Sequence, residues 1–154
     1  MNYSAGSLRR LLNLYGPYLG AGVRVTYVAD NFQELRVSMK LRWYNRNAVG
    51  THFGGSLYAM VDPHLMLMLM KLLGPGYIVW DKSASIDFIR PGTGTVSATI
   101  CIDDEMIGTI KEAVAEKRKY QPEFNIRVVD EEDKLVCRVH KILYVRRKNT
   151  RRNM

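Results

Sequence analysis

Residues 47–73 constrain this chain more than any other stretch. A glycine pair, Gly54 and Gly55, opens a segment of helical length that is apolar on nearly every side and holds a single carboxylate, Asp62. A surface helix shows one dry stripe, whereas a helix that is dry all round has to be wrapped. Its uninterrupted apolar part, 65–70, is bounded by Pro63 and His64 on one side and Lys71 on the other. That is far short of the roughly 20 residues a bilayer span needs. The wrapping is therefore expected to come from protein, and no membrane partner is expected.

The flanking sequence supplies strands for that purpose. Leu8, Leu11, Leu12 and Tyr15 recur at helical spacing within 4–19, with Ser4 or Ser7 as N-cap, and Gly16-Pro17 ends or kinks the helix. Val23, Val25 and Tyr27 alternate with Arg24 and Thr26. Leu35, Val37, Met39 and Leu41 alternate with Arg36, Ser38 and Lys40. With Asp30-Asn31 between them, these read as a β-hairpin with one dry face. A polar connection, 43–53, leads to the central helix, and Gly74-Pro75-Gly76 stops it. Residues 77–90 read as a long strand with Ala84, Ile86 and Phe88 on one side. Val96, Ala98, Ile100 and Ile102 read as its return strand after the turn at 91–94. Asp103-Asp104-Glu105 and Lys117-Arg118-Lys119 match the dipole at the two ends of a helix over 103–119. Strands at 124–128 and 135–145 follow, joined by a charged turn at 130–134.

This order predicts an α+β fold, a long antiparallel curved sheet wrapped around the central helix. With 154 residues and no linker or repeat, 1–154 reads as one domain, with a helix in 1–20 and a basic tail at 147–154. One sheet cannot cover every side of such a helix. A second copy of the chain is the simplest supplier of the missing cover, giving a homodimer, with a homotetramer as the next step.

The formal charge is +8, and Arg146, Arg147, Lys148, Arg151 and Arg152 crowd the end of the sequence. Such a tail attracts nucleic acid or anionic lipid. No nucleic-acid motif or aromatic–basic platform accompanies it, so a solvated tail and no nucleic-acid partner are expected. The first residues lack the apolar segment of a secretory signal. Cys101 and Cys137 lie within strands and read as buried free thiols of a reducing compartment, so a cytoplasmic location is expected. His52, His64 and His140 are scattered, and no pair of residues has metal-ligand spacing.

The stretch Asn47 … Phe53-Gly54-Gly55 … Asp62, in this order of elements, resembles the hotdog fold, and within it the branch that contains the phenylacetate-pathway acyl-CoA thioesterases. Gly-Gly-Ser-Leu-Tyr-Ala-Met-x-Asp-Pro at 54–63, Ile-Val-Trp-Asp-Lys at 78–82 and Ile-Asp-Phe-Ile-Arg-Pro-Gly at 86–92 are similar to a group of small bacterial thioesterase-like proteins of unassigned function. The resemblance runs over residues 20–146. It implies an acyl-CoA or acyl-carrier thioester held at a dimer interface. Coenzyme A would enter as part of the substrate, and no separate cofactor is implied. Gly54 would match the oxyanion glycine, Asp62 the acid that faces the other subunit's glycine, and Asn47 the residue that positions substrate or water. Where the family has His-Gly-Gly, this chain has Phe53, with His52 one residue earlier. One residue on a helix turns a side chain by about 100°.

Physical chemistry weighs the same residues. Thioester hydrolysis builds negative charge on the carbonyl oxygen, and the first N–H groups of a helix are donors without intrahelical acceptors. Glycine at 54 and 55 lets a ligand reach them; the competing reading is close packing of the helix start on a strand. Asp62, as a buried acid, needs a raised pKa or a polar cavity, and either suits a base or nucleophile. Asp62-Pro63 is equally a helix restart, with Asp as cap and Pro at the first position. Asn47 serves a turn as readily as a substrate. His52, Phe53, Gly55 and Tyr58 are candidates to line the acyl-thioester site, and Met66, within a methionine-rich run, either core or acyl-chain lining. Lys82 and Arg90 belong to a basic face or meet the phosphates of coenzyme A. Two further functions remain open. One is a non-catalytic acyl-binding protein. The other is a dehydratase of hydroxyacyl thioesters that would need His52 or His64.

Overall fold

The computed structural model describes residues 3–148. The chain opens with α1 (Ala5–Asn13), capped by Ser4, whose side chain accepts from Ser7 N at 3.2 Å. Gly16-Pro17 does not stop helical structure but restarts it. Pro17 sits in the first turn of α2 (Gly16–Ala21), and Gly22 closes that helix at φ 75°. The hairpin β1 (Val23–Val28) and β2 (Glu34–Lys40) follows, registered from Val23↔Met39 to Val28↔Leu35. The central helical stretch comes next, as α3 (Gly54–Ala59) and α4 (His64–Leu73). Then come β3 (Tyr77–Phe88), β4 (Thr95–Cys101), α5 (Asp104–Lys117), β5 (Lys119–Tyr120), β6 (Glu123–Val129) and β7 (Leu135–Arg147). Asp103 caps α5 by accepting from Met106 N at 2.7 Å. The two-residue β5, beside the end of β7, carries no alternation signal and is absent from the sequence reading.

The sheet runs β1-β2-β4-β6-β7-β3, with β5 beside β7, and its pairings are antiparallel. One expectation fails here. The strand after the 91–94 turn is not the return partner of β3. β4 pairs with β2 and β6, while β3 crosses to the far edge and pairs with β7. Length explains the choice. The 12-residue β3 finds in the 13-residue β7 a partner that satisfies its backbone from Tyr77↔Arg147 to Phe88↔Cys137, and seven-residue β4 matches seven-residue β2 end to end.

The inner face of the sheet is apolar, with Val25, Val37, Ala98, Ile126, Val139 and Leu143 all buried, and the helices join it in one core. From α3 through α4, Leu57, Met60, Val61, Leu65, Met68 and Leu69 are buried. The opposite side of the stretch, Tyr58, Asp62, Met66 and Met70 at a spacing of four, is only half-buried. Among the described residues no strand lies beside the outer edge of β3, and its inward-side Ala84 and Phe88 are exposed. One sheet thus leaves a stripe of the helix and the adjoining edge strand uncovered. By length and composition Gly54–Leu73 passes for a membrane span, but it is the core helix of this sheet. Cys137 is buried as expected. Cys101 is not, because as the last residue of β4 it points to the wet face. Of the basic tail, Arg151 and Arg152 lie outside the described residues.

Candidate active site

The two halves of the expected site lie at opposite ends of α3. At its start, Phe53 is the N-cap without a side-chain cap bond. The first bonds of the helix run from Ser56 N and Leu57 N to Phe53 O, so the N–H groups of Gly54 and Gly55 find no acceptor among the described residues. Both glycines also meet the packing reading. A Cβ on Gly54 would come within 2.8 Å of the Phe88 ring, and one on Gly55 within 2.5 Å of the Phe53 ring. Neither contact is a wall, since Phe88 is 59% and Phe53 54% exposed, and an exposed ring can swing aside.

A cleft of about 470 Å³ adjoins this helix start, lined by Asn47, His52, Gly54, Leu57, Phe88 and Arg90 among others. Asn47 spends its amide on its own loop. It accepts from Val49 N and Thr51 N, both at 3.1 Å, and donates to Thr51 Oγ1 at 2.9 Å. His52 is buried, its Nε2 lies 3.0 Å from Gly94 O, and its backbone N–H bonds Gly92 O. Burial pushes its pKa down. The ring thereby ties the 91–94 turn to the helix start. Arg90 is anchored by Asp130 at 2.7 Å. Gly55, Tyr58, Met66 and Lys82 do not line this cleft, and the Lys82 ammonium instead donates to Gln121 Oε1 at 2.7 Å.

The second half is the break in the central helix. Residues 60–63 form turns, and Pro63, not Asp62, is the cap of α4. The Asp62 carboxylate does not serve the restart. Its Oδ1 accepts the Tyr58 hydroxyl at 2.6 Å and the Lys141 ammonium at 3.1 Å. Nor is it a buried unpaired acid, because its side chain is 44% exposed and Oδ2 has no partner among the described residues. The proline is tolerated because the helix has already ended there, so no interior N–H is lost. Desolvation and the adjacent Asp62 push the Tyr58 phenol pKa up, which keeps its proton on as a donor.

Lys141 is the residue that sequence reasoning missed. It stands in β7 with no solvent exposure, and its Nζ reaches both the Asp62 carbonyl and carboxylate and lies 3.0 Å from Asp81 Oδ1 on β3. A signal existed. In 135–145, Cys137, Val139, Leu143 and Val145 take the dry phase, and Lys141 occupies the same phase. Behind the break, His64 is fully buried. Its Nε2 lies 2.7 Å from the Tyr18 hydroxyl and 2.9 Å from Met60 O. Burial pushes its pKa down to about 4, so the ring is neutral.

A long antiparallel sheet around a core helix, with a glycine-opened helix start and an acid at the helix break, defines a hotdog-fold protein. The chain belongs to the family described as a domain of unknown function, DUF4442, whose model matches residues 6–145. No curated protein sequence matches it. Among solved structures, it is similar to a Pseudomonas aeruginosa protein of unknown function described as a probable thioesterase. That match has a TM-score of 0.79 at 19% identity and covers 91% of this chain and 93% of the other. A thioesterase from Haemophilus influenzae gives a TM-score of 0.69 at 17% identity, with 99% and 96% covered. The PaaI protein of the Escherichia coli phenylacetic acid degradation operon gives 0.60 at 15% identity, with 92% and 90% covered.

Proposed function

We propose that the protein hydrolyses an acyl-CoA thioester at the interface of a homodimer. The observation that carries this reading is the separation of the two half-sites within one chain. Gly54 and Asp62 lie at opposite ends of α3, and the cleft at Gly54 does not include Asp62. Both ends nevertheless border the same uncovered stripe of helix and edge strand. A second copy laid on that stripe brings the acid of one chain toward the helix start of the other and supplies the missing cover. Thioesterases among the structural neighbours support the reading.

In this reading the thioester oxygen points at the free N–H groups of Gly54 and Gly55. Each such donor supplies roughly 3–4 kcal/mol to the developing oxyanion. Asp62 Oδ2, the oxygen without a partner, either takes a proton from the attacking water or attacks the carbonyl carbon itself. With Asp62 as base, the water oxygen bonds to the carbonyl carbon, the C–S bond breaks, and the thiolate takes the proton from Asp62. With Asp62 as nucleophile, the C–S bond breaks to leave a mixed anhydride, and the thiolate takes a proton from water. The hydroxide so formed or a second water then cleaves the anhydride to release the acid and restore the carboxylate. The acyl chain runs along Met66 and Met70, and Arg90 and Lys82 meet the phosphates.

Release of free thiol from a panel of acyl-CoAs, acetyl to palmitoyl, by wild type and Asp62→Ala tests this. Loss of activity in the variant is expected, and equal rates would eliminate the assignment. A non-catalytic acyl-binding role is the second reading. It is favoured by Phe53 at the helix start, with its ring over Gly55. It predicts a thermal shift with acyl ligands and no thiol release. The dehydratase reading gains nothing, since His52 Nε2 is engaged with the Gly94 carbonyl and His64 has no solvent exposure.

A further inference from the structure

A lysine side chain with no solvent exposure is costly to bury. An apolar residue of similar volume at the same place is often neutral or better for stability. The neighbours of Lys141 on the inner phase of β7, Val139 and Leu143, are of that apolar kind. Three oxygens lie around the Lys141 ammonium, two of them as hydrogen-bond acceptors and the third, from Asp81, as an ion-pair contact outside hydrogen-bond geometry. They are the Asp62 main-chain carbonyl, Asp62 Oδ1 and Asp81 Oδ1, drawn from the helix break and from edge strand β3. Its charge also lies over the Tyr58 ring, 5.8 Å from the centroid. Both hydrogen bonds of this buried cation thus converge on the break that carries Asp62.

We propose that Lys141 is a positioning residue for Asp62. Together with the Tyr58 hydroxyl it clamps Oδ1, so that Oδ2 alone is left free on the uncovered stripe of the helix. A carboxylate held at one oxygen by two donors from different elements cannot rotate to exchange its oxygens without losing both bonds. The bond from Nζ to the Asp62 carbonyl adds a second constraint, because it fixes the main chain of the 60–63 turn from which the carboxylate projects. Asp81 holds the other side of the ammonium and so ties the clamp to the edge strand. The inference rests on the hydrolase reading above and adds to it the group that aims its acid. Lys141 touches no substrate. It acts through Asp62.

The experiment uses the full chain and release of thiol from the acetyl-to-palmitoyl acyl-CoA panel. A misplacement of about 1 Å at a reacting group costs on the order of 100-fold. Lys141→Met is therefore expected to lower kcat by about that factor. Since Lys141 makes no ground-state contact with substrate, KM should stay within about two-fold. Tyr58→Phe, which removes only one of the two bonds to Oδ1, should lower kcat by about ten-fold. Lys141→Arg, which keeps the charge, should fall between wild type and Lys141→Met. Lys141→Met combined with Asp62→Asn should be no slower than Asp62→Asn alone, because the clamp then has nothing to aim.

A folded Lys141→Met enzyme that retains full kcat, or loses activity only through KM, overturns the proposal while leaving the hydrolase reading intact. A double variant slowed multiplicatively does the same. Should Lys141→Met fail to fold, Tyr58→Phe decides, and an unchanged kcat there is refutation. If wild type releases no thiol from any member of the panel, the hydrolase reading falls and takes this proposal with it.

Discussion

The buried pair of His64 and Tyr18 makes the stability of this protein depend on pH in a calculable way. His64 has no solvent exposure, and its folded pKa of about 4 lies below the ordinary 6.5 because burial disfavours the imidazolium. The nearby Lys141 ammonium acts in the same direction, while the Met60 carbonyl and Asp62 oppose it. Between the two values the unfolded chain binds a proton that the folded chain refuses. Stability is therefore full above about pH 6.5 and declines as the pH falls toward about 4. At pH 5 the linkage amounts to roughly 2 kcal/mol relative to pH 7.5. Replacing the ring by a side chain that does not titrate, His64→Gln, removes this slope. The assay is urea unfolding of wild type and His64→Gln at pH 7.5 and pH 5, at one protomer concentration, followed by tryptophan fluorescence. His52, whose pKa is also lowered by burial, titrates in both proteins and cancels from the difference. Wild type should lose about 2 kcal/mol more than the variant over this interval. Identical losses would mean that the ring takes up its proton inside the fold, and the account of its burial would be wrong.

Three further outcomes follow from the packing. Asn45 is 2% exposed; its Oδ1 accepts from Arg42 N at 2.6 Å and its Nδ2 donates to Ala21 O and Lys40 O, both at 2.9 Å. Asn45→Ala strands these groups and should cost about 2–4 kcal/mol, read as a lower urea midpoint. The Cys137 thiol is buried, with its pKa pushed up to about 11, whereas Cys101 is exposed. Ellman's reagent should therefore label one thiol in the native protein and two after guanidinium is added. If the protein is the homodimer proposed above, a long charged side chain at Ala84, on the uncovered inner side of β3, should shift sedimentation toward the monomer. Ala84→Arg that sediments as wild type would exclude this edge as the dimer face.

Much of the fold was legible because its signals are short-range. Alternation marked β1, β2, β6 and β7; Ser4 is a cap that needs only the next three residues; the acidic and basic ends marked α5; and a helix dry on all sides demanded a wrapper. The acid and the glycine pair were legible for the same reason, being local departures from a local pattern. The residues that surround the acid were not. Asp62 and Lys141 are 79 residues apart, and nothing in either neighbourhood names the other. They meet because the helix break comes to lie over Lys141 of β7, a placement that depends on how the whole sheet is assembled around the helix. The amino-acid sequence thus determined which segments are strands and helices and which side of each is dry, since those depend on spacing along the chain. Only the tertiary structure decided which strands β3 and β4 pair with, that the carboxylate at residue 62 is held by a buried ammonium and not spent as a helix cap, and which face of the core helix is left open. Those depend on contacts between segments far apart in the chain, whose closure no local periodicity records.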